Sequence, residues 1–158
     1  LEVMRLAFSI FLFSSFLYSQ DCLHDESNFK CVEYVRNYDA DTVTFNIPKL
    51  HPLIGKNVNV RVAGVDTPEI RTKDQCEKRK AVAAKKLVQN LLKKANRVDL
   101  RNISRGKYFR IVADIIIDGV SLQELLLKSG HAYSYTGGTK KKVDWCQSNR
   151  AIASKNTF

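Results

Sequence analysis

The strongest constraint on the fold is a change of hydrophobic period along the chain. Val58, Val60 and Val62 alternate with Asn57, Asn59 and Arg61, which sets the valines on one face of a strand and Arg61 on the other. Further on, Ala84, Leu87, Val88, Leu91, Leu92 and Ala95 recur at the three-and-four spacing of an amphipathic helix. Lys78, Arg79, Lys85, Lys86, Lys93 and Lys94 cover the rest of that helix, and a solvated face is the simpler reading of them than a nucleic-acid stripe. Upstream, Lys30 to Val35 and Asp41 to Ile47 are β-rich segments around the turn-like stretch 36–40, so they predict a hairpin, ended by Pro48 and followed by a loop through Gly55. Downstream, Arg97 to Arg101 and Tyr108 to Ile117 predict a second hairpin turning at Ser104 to Gly106. Ser121 is placed to cap a short helix through Ser129, and Asp144 to Lys155 predicts a last one. Five strands and about three helices in 158 residues imply one α+β domain whose strands close into a small barrel.

The formal charge is +10, from 26 Lys and Arg against 16 Asp and Glu, and it points to a polyanionic partner without specifying any chemistry. Arg5 precedes an uncharged apolar run from Leu6 to Tyr18, which is shorter than the roughly 20 residues of a membrane span. It reads as a secretory signal starting at Met4 and cut after Ser19, leaving residues 20–158 as the mature domain with no stable membrane association. Cys22, Cys31, Cys76 and Cys146 all lie beyond it, and an even count in an exported chain reads as disulfides, with three pairings open. A zinc site does not fit, because no Cys-x-x-Cys pair occurs and His24, His51 and His131 are scattered.

The chemistry lies in three separated segments: Asp39-Ala-Asp-Thr42, Arg61-Val-Ala-Gly-Val-Asp-Thr-Pro-Glu69 and Lys107-Tyr-Phe-Arg110. Each alone is a turn, a helix start or a strand edge. Together they supply two acidic residues as hard oxygen ligands, a third carboxylate for base chemistry and two guanidinium groups, the set needed to attack a phosphodiester. Asp41 continues the inward row of Val43, Phe45 and Ile47, and a carboxylate at the end of an apolar row needs a partner. Tyr108 and Arg110, two apart on the expected strand, point the same way.

In order and spacing these segments resemble the staphylococcal nuclease family, over roughly Lys30 to Lys155. The resemblance implies a five-stranded OB-fold-type β-barrel with three helices, and cleavage of DNA and RNA. It implies Asp41, Asp66 and the backbone carbonyl of Thr67 as ligands of one Ca²⁺, with Asp39 behind them. Glu69 becomes the general base, Arg61 and Arg110 hold the scissile phosphate, and Tyr108 contacts the nucleotide beside Lys107. Tyr133 and Tyr135 resemble tyrosines of the nucleotide pocket and read equally well as core or edge residues, while Thr136 to Lys142 reads as a mobile, solvated basic loop. The chain departs from the family pattern at Ala40 and Phe109, where glycine is most frequent and positive φ can be required. By the same resemblance, Cys76 pairs with Cys146 and Cys22 with Cys31. The implied protein is an exported, monomeric, Ca²⁺-dependent nuclease, and the alternative is a noncatalytic OB module that binds single-stranded nucleic acid.

Overall fold

Apolar alternation places the strands of the computed structural model, which describes residues 21–140 and 142–146. Strand β1 (Glu33–Asn37) pairs antiparallel with β2 (Thr42–Asn46), and β2 with β3 (Val58–Val62). The chain between β2 and β3 contains a short helix, α1 (Pro52–Gly55), where only a loop was expected; the His51 ring accepts the Leu53 N–H and caps it. After β3 come β4 (Val65–Asp66) and the long helix α2 (Gln75–Lys94). Asp74 starts α2 by accepting the N–H groups of Cys76 and Glu77, two donors with no partner inside the helix. Strand β5 (Val98–Arg105) then runs antiparallel to β6 (Ile111–Ile117), and β6 lies parallel to β3.

The resulting order β1-β2-β3-β6-β5 is the expected α+β, OB-like arrangement. Among the described residues, its ladders do not close into a complete barrel. Where closure is expected, the segment before β1 lies along β5, with Phe29 and Leu100 exchanging backbone hydrogen bonds and Val32 N–H donating to Val98. The inward faces pack Val43 and Phe45, Val60 and Val62, Leu100, Ala113 and Ile115 against Ala84, Val88 and Leu92 of α2. Helix α3 (Leu122–Lys128) adds Leu122 and Leu126 to the same core, and Ser121 caps it as its sequence position indicates.

The second hairpin differs from expectation. Strand β5 continues through Ser104 to Arg105, and the chain reverses at Lys107 to Arg110, where Tyr108 (φ 59°) and Phe109 (φ 57°) are both left-handed. Two successive left-handed residues characterise the tight turn whose twist matches its strands, so Phe109 occupies a backbone conformation that favours glycine. Gly106 serves space instead, since a Cβ there would come within 2.7 Å of Val112 Cγ2. Tyr108 therefore sits in a turn and is 95% exposed, so the shared strand face expected for Tyr108 and Arg110 does not exist. Ala40 needs no left-handed backbone and packs in the core. A two-residue reversal at Asp118-Gly119 joins β6 to β7 (Val120–Ser121).

Strand β8 (Tyr133–Ser134) returns to pair with β4, aligning Tyr133 with Asp66. Residues 142–146 are not helical; the remainder of the expected last helix and the signal segment 1–19 lie outside the described residues. Among the described residues, no helix is long and apolar enough to cross a membrane.

Cys22 is bonded to Cys31 and Cys76 to Cys146, with Cα separations of 5.4 and 6.2 Å. The second bond ties the start of α2 to the segment after β8. Disulfides that close longer loops restrict the unfolded chain more: a 70-residue separation is worth about 4 kcal/mol in the chain-entropy description and a 9-residue one about 2.6 kcal/mol. Replacing Cys76 and Cys146 together by Ala should cost more stability in urea than replacing Cys22 and Cys31. The reverse order would show that the two bonds act through native contacts rather than loop closure.

Candidate active site

The start of β2, the outward face of β3 and strand β4 meet where separate sequence segments deliver charge. Asp41 lies just before β2, and its carbonyl accepts the Val62 N–H at 2.9 Å, which locks it beside β3. Arg61, outward on β3, places Nη1 2.8 Å from Asp41 Oδ2 and Nη2 2.9 Å from Asp66 Oδ1. Nη2 also donates to the Val65 carbonyl at 3.1 Å, so these contacts take up three of the five guanidinium N–H donors. Asp41, Asp66 and Thr67 are buried, and the Arg61 side chain is only 14% exposed. Burial works against the charged form of Arg61, but the carboxylates of Asp41 and Asp66 more than offset it and raise its pKa.

Asp39 accepts the Asp41 N–H at 3.2 Å and is buried too. Burial first, then the negative charges of Asp41 and Glu69, push its carboxyl up to about 7. On the other side, β8 presents the Tyr133 hydroxyl, which donates to Asp66 Oδ2 at 2.8 Å; burial and that bond raise its pKa to about 12, so it stays a donor at neutral pH. Glu69 is exposed, with its backbone N–H fixed by Glu77 Oε1 at 3.1 Å.

One residue of the cluster was not legible in the sequence. Lys140, in the basic loop read as solvated, places Nζ 3.0 Å from Asp66 Oδ1 and 2.8 Å from Glu69 Oε1. Burial opposes its charge, yet Glu69 and Asp66 hold its pKa above the ordinary lysine value. Nothing in a Thr-Lys-Lys-Lys run singles out one lysine, so only the fold identifies it. Glu77 was missed for the same reason, as an ordinary acidic residue in the first turn of a helix.

Next to the cluster is a cavity of about 370 Å³ lined by Arg61, Lys107, Arg110, Tyr135 and the backbone around Gly137. Two guanidinium groups and an ammonium thus border one opening, with the Tyr135 ring 6.0 Å from the Arg61 guanidinium carbon. Tyr108 is not brought into this cavity and instead lines a neighbouring groove. The structure therefore gathers Asp39, Asp41, Arg61, Asp66, Thr67, Glu69 and Tyr133 at one point and borders it with Lys107, Arg110 and Tyr135.

The donor set suits a hard divalent cation. All its side-chain donors are oxygens, and four carboxylates face two cations, a surplus of two negative charges when all are ionised. The ammonium of Lys140 already stands between two of them. Among the described residues, no group of three or more His, Cys, Asp or Glu side chains is arranged to hold a metal as it stands, and Arg61 and Lys140 contact oxygens of Asp41, Asp66 and Glu69.

Residues 59–156 match the family described as staphylococcal nuclease homologue. The chain belongs to the staphylococcal nuclease family. Over 92 residues it is 36% identical to endonuclease YncB of Bacillus subtilis (strain 168), a match that covers 54% of this chain and 43% of that protein. The chain thus spans less than half the length of that relative. The family match takes in Arg61, Asp66, Glu69 and Arg110 and begins after Asp39 and Asp41, which the β2–β3 pairing brings to the same place.

Asp39 gives a pH prediction. A carboxyl raised from 3.8 to about 7 on folding holds its proton more tightly in the folded than in the unfolded chain. Its contribution to stability therefore falls as pH rises from about 4 to about 7 and is constant above. In chelator-treated protein, the melting temperature of Asp39→Asn should gain on wild type across that interval and then run parallel to it. A pH-independent difference would contradict the burial of an ionisable group at this position.

Proposed function

We propose that this chain is an exported, Ca²⁺-dependent nuclease that hydrolyses phosphodiester bonds of DNA and RNA. The observation that carries the reading is the cluster itself, in which buried carboxylates with surplus negative charge adjoin a cavity bordered by Arg61 and Arg110. A nucleic-acid-binding module has use for the cations but none for buried carboxylates beside them. Export rests on two disulfides and on the apolar run before residue 19. Within this reading the signal is cleaved after Ser19 and the mature protein acts as a monomer.

Asp41, Asp66 and the carbonyl of Thr67 would hold the Ca²⁺, with Asp39 buttressing Asp41 through its backbone bond. When bound, the ion supplies positive charge next to the phosphate that reacts. Glu69 takes a proton from the attacking water, whose oxygen forms a bond to phosphorus as the bond to the opposite, leaving oxygen breaks. Lys140 must first leave Glu69, since their 2.8 Å contact occupies the base. Arg61 and Arg110 donate to the phosphate oxygens as negative charge accumulates. Lys107 adds positive charge at the cavity mouth and Tyr135 lines its wall, while Tyr133 donates its hydroxyl to Asp66 in the adjoining cluster.

Plasmid DNA should be shortened by the purified mature protein with Ca²⁺ and left intact under chelation; intact plasmid in both would refute the nuclease reading. The variants separate the roles. Glu69→Gln keeps the shape and loses the base, so the rate should fall by about 10² to 10⁴ at any Ca²⁺ concentration. Arg110→Lys loses the planar fork and should lower kcat by about 10² to 10³ with DNA affinity nearly unchanged. Asp41→Ala should instead be partly rescued by added Ca²⁺. Near wild-type rates for Glu69→Gln and Arg110→Lys would return the chain to the binding-module class.

A further inference from the structure

A second groove, of about 680 Å³, lies against the tip of the β5–β6 hairpin. It shares Lys107 and Arg110 with the cavity at Arg61, so the two openings are continuous around one turn. Its floor is apolar, with Val58 and Ile111, and among the described residues the charged ones that line it, Arg105, Lys107 and Arg110, are all cations. At its rim the Phe109 ring is 81% exposed on a left-handed backbone, a conformation that is uncommon for a bulky side chain and unnecessary if the turn carried glycine. The Arg105 guanidinium carbon stands 6.0 Å from the centre of that ring and steadies it. Folding alone gives no reason to hold an aromatic ring in water at a strained position.

Building on the phosphodiester reading above, we propose that this groove is a second nucleotide subsite, where Phe109 stacks on an unpaired base of the strand whose phosphate lies at Arg110. An aromatic face beside a row of cations is the arrangement that binds single strands without sequence preference, because every base has a stacking face and every nucleotide a phosphate. The occupant is therefore a single strand or a locally opened duplex, since a base inside an intact duplex has no face to offer. Lys107 and Arg110 hold the backbone as it passes from one opening to the other, and Arg105 extends the positive track.

The test is fluorescence anisotropy of the mature, disulfide-bonded protein with a labelled 12-mer of thymidylate and an equally charged abasic 12-mer, in chelator so that neither is cut. Phe109→Gly suits the left-handed backbone and keeps the fold. It should weaken thymidylate binding about 5- to 150-fold, the equivalent of one lost base stack of about 1–3 kcal/mol. Binding of the abasic strand should not change, and Phe109→Trp should remain close to wild type on both. Equal losses on the two strands, or no loss on either, would overturn the subsite. So would a loss confined to binding of vesicles of three parts phosphatidylcholine to one part phosphatidylglycerol, which would make the tip a lipid contact. Plasmid cleavage with Ca²⁺ is run alongside. A base-dependent loss in Phe109→Gly with no cleavage by wild type would sustain the subsite and refute the nuclease reading, whereas cleavage with no base-dependent loss would do the opposite.

Discussion

The bond that the rest of the site depends on is the guanidinium of Arg61 held between Asp41 and Asp66. These three residues arrive from the start of β2, the middle of β3 and the end of β4, so one side chain ties together three pieces of backbone. Burying charges is costly in itself, and removing one partner leaves the others without compensation, which is worse. The clamp therefore contributes less to net stability than to position. It fixes where two carboxylates and a guanidinium stand relative to one another, to within the tolerance of charge-assisted hydrogen bonds.

That clamp is incomplete in its charges. Asp39 and Glu69 add negative charge that Arg61 cannot match, and Lys140 is drawn in from a glycine-containing loop to stand against Asp66 and Glu69. Lys140, two residues after Gly138, is a compensating charge carried on a long four-carbon side chain. The same loop contributes Thr136 and Gly137 to the cavity wall, so the segment that carries Lys140 also borders the cavity.

The core of the fold was legible because period and burial coincide. Val58, Val60 and Val62 alternate as a half-buried strand must, and the apolar stripe of α2 has the helical spacing, so both elements were readable within a residue or two. Ser121 likewise marked the start of α3 through its hydroxyl. The hairpin tip was not legible, since Tyr108, Phe109 and Ile111 have side chains that favour strands, whereas the reversal between β5 and β6 imposes a left-handed turn on the first two. Helix α1 depends on a histidine cap at an unremarkable Pro-Leu-Ile-Gly stretch, a signal too short for periodicity. At the site, Asp41, Arg61, Asp66 and Glu69 were readable as a set from their spacing and their family resemblance. Lys140 and Glu77 were not, because long-range charge pairing leaves no trace in local sequence.

On the proposed reading, the carboxylates carry more negative charge than Arg61 and Lys140 neutralise, and a divalent cation makes up the difference. The most direct measurement is a calorimetric Ca²⁺ titration of wild type and Lys140→Gln. The charge arrangement predicts one ion per chain in both proteins and tighter binding in the variant, because the ammonium that competes for Asp66 and Glu69 is gone. Absence of Ca²⁺ binding in both, or weaker binding once Lys140 is neutralised, would contradict it.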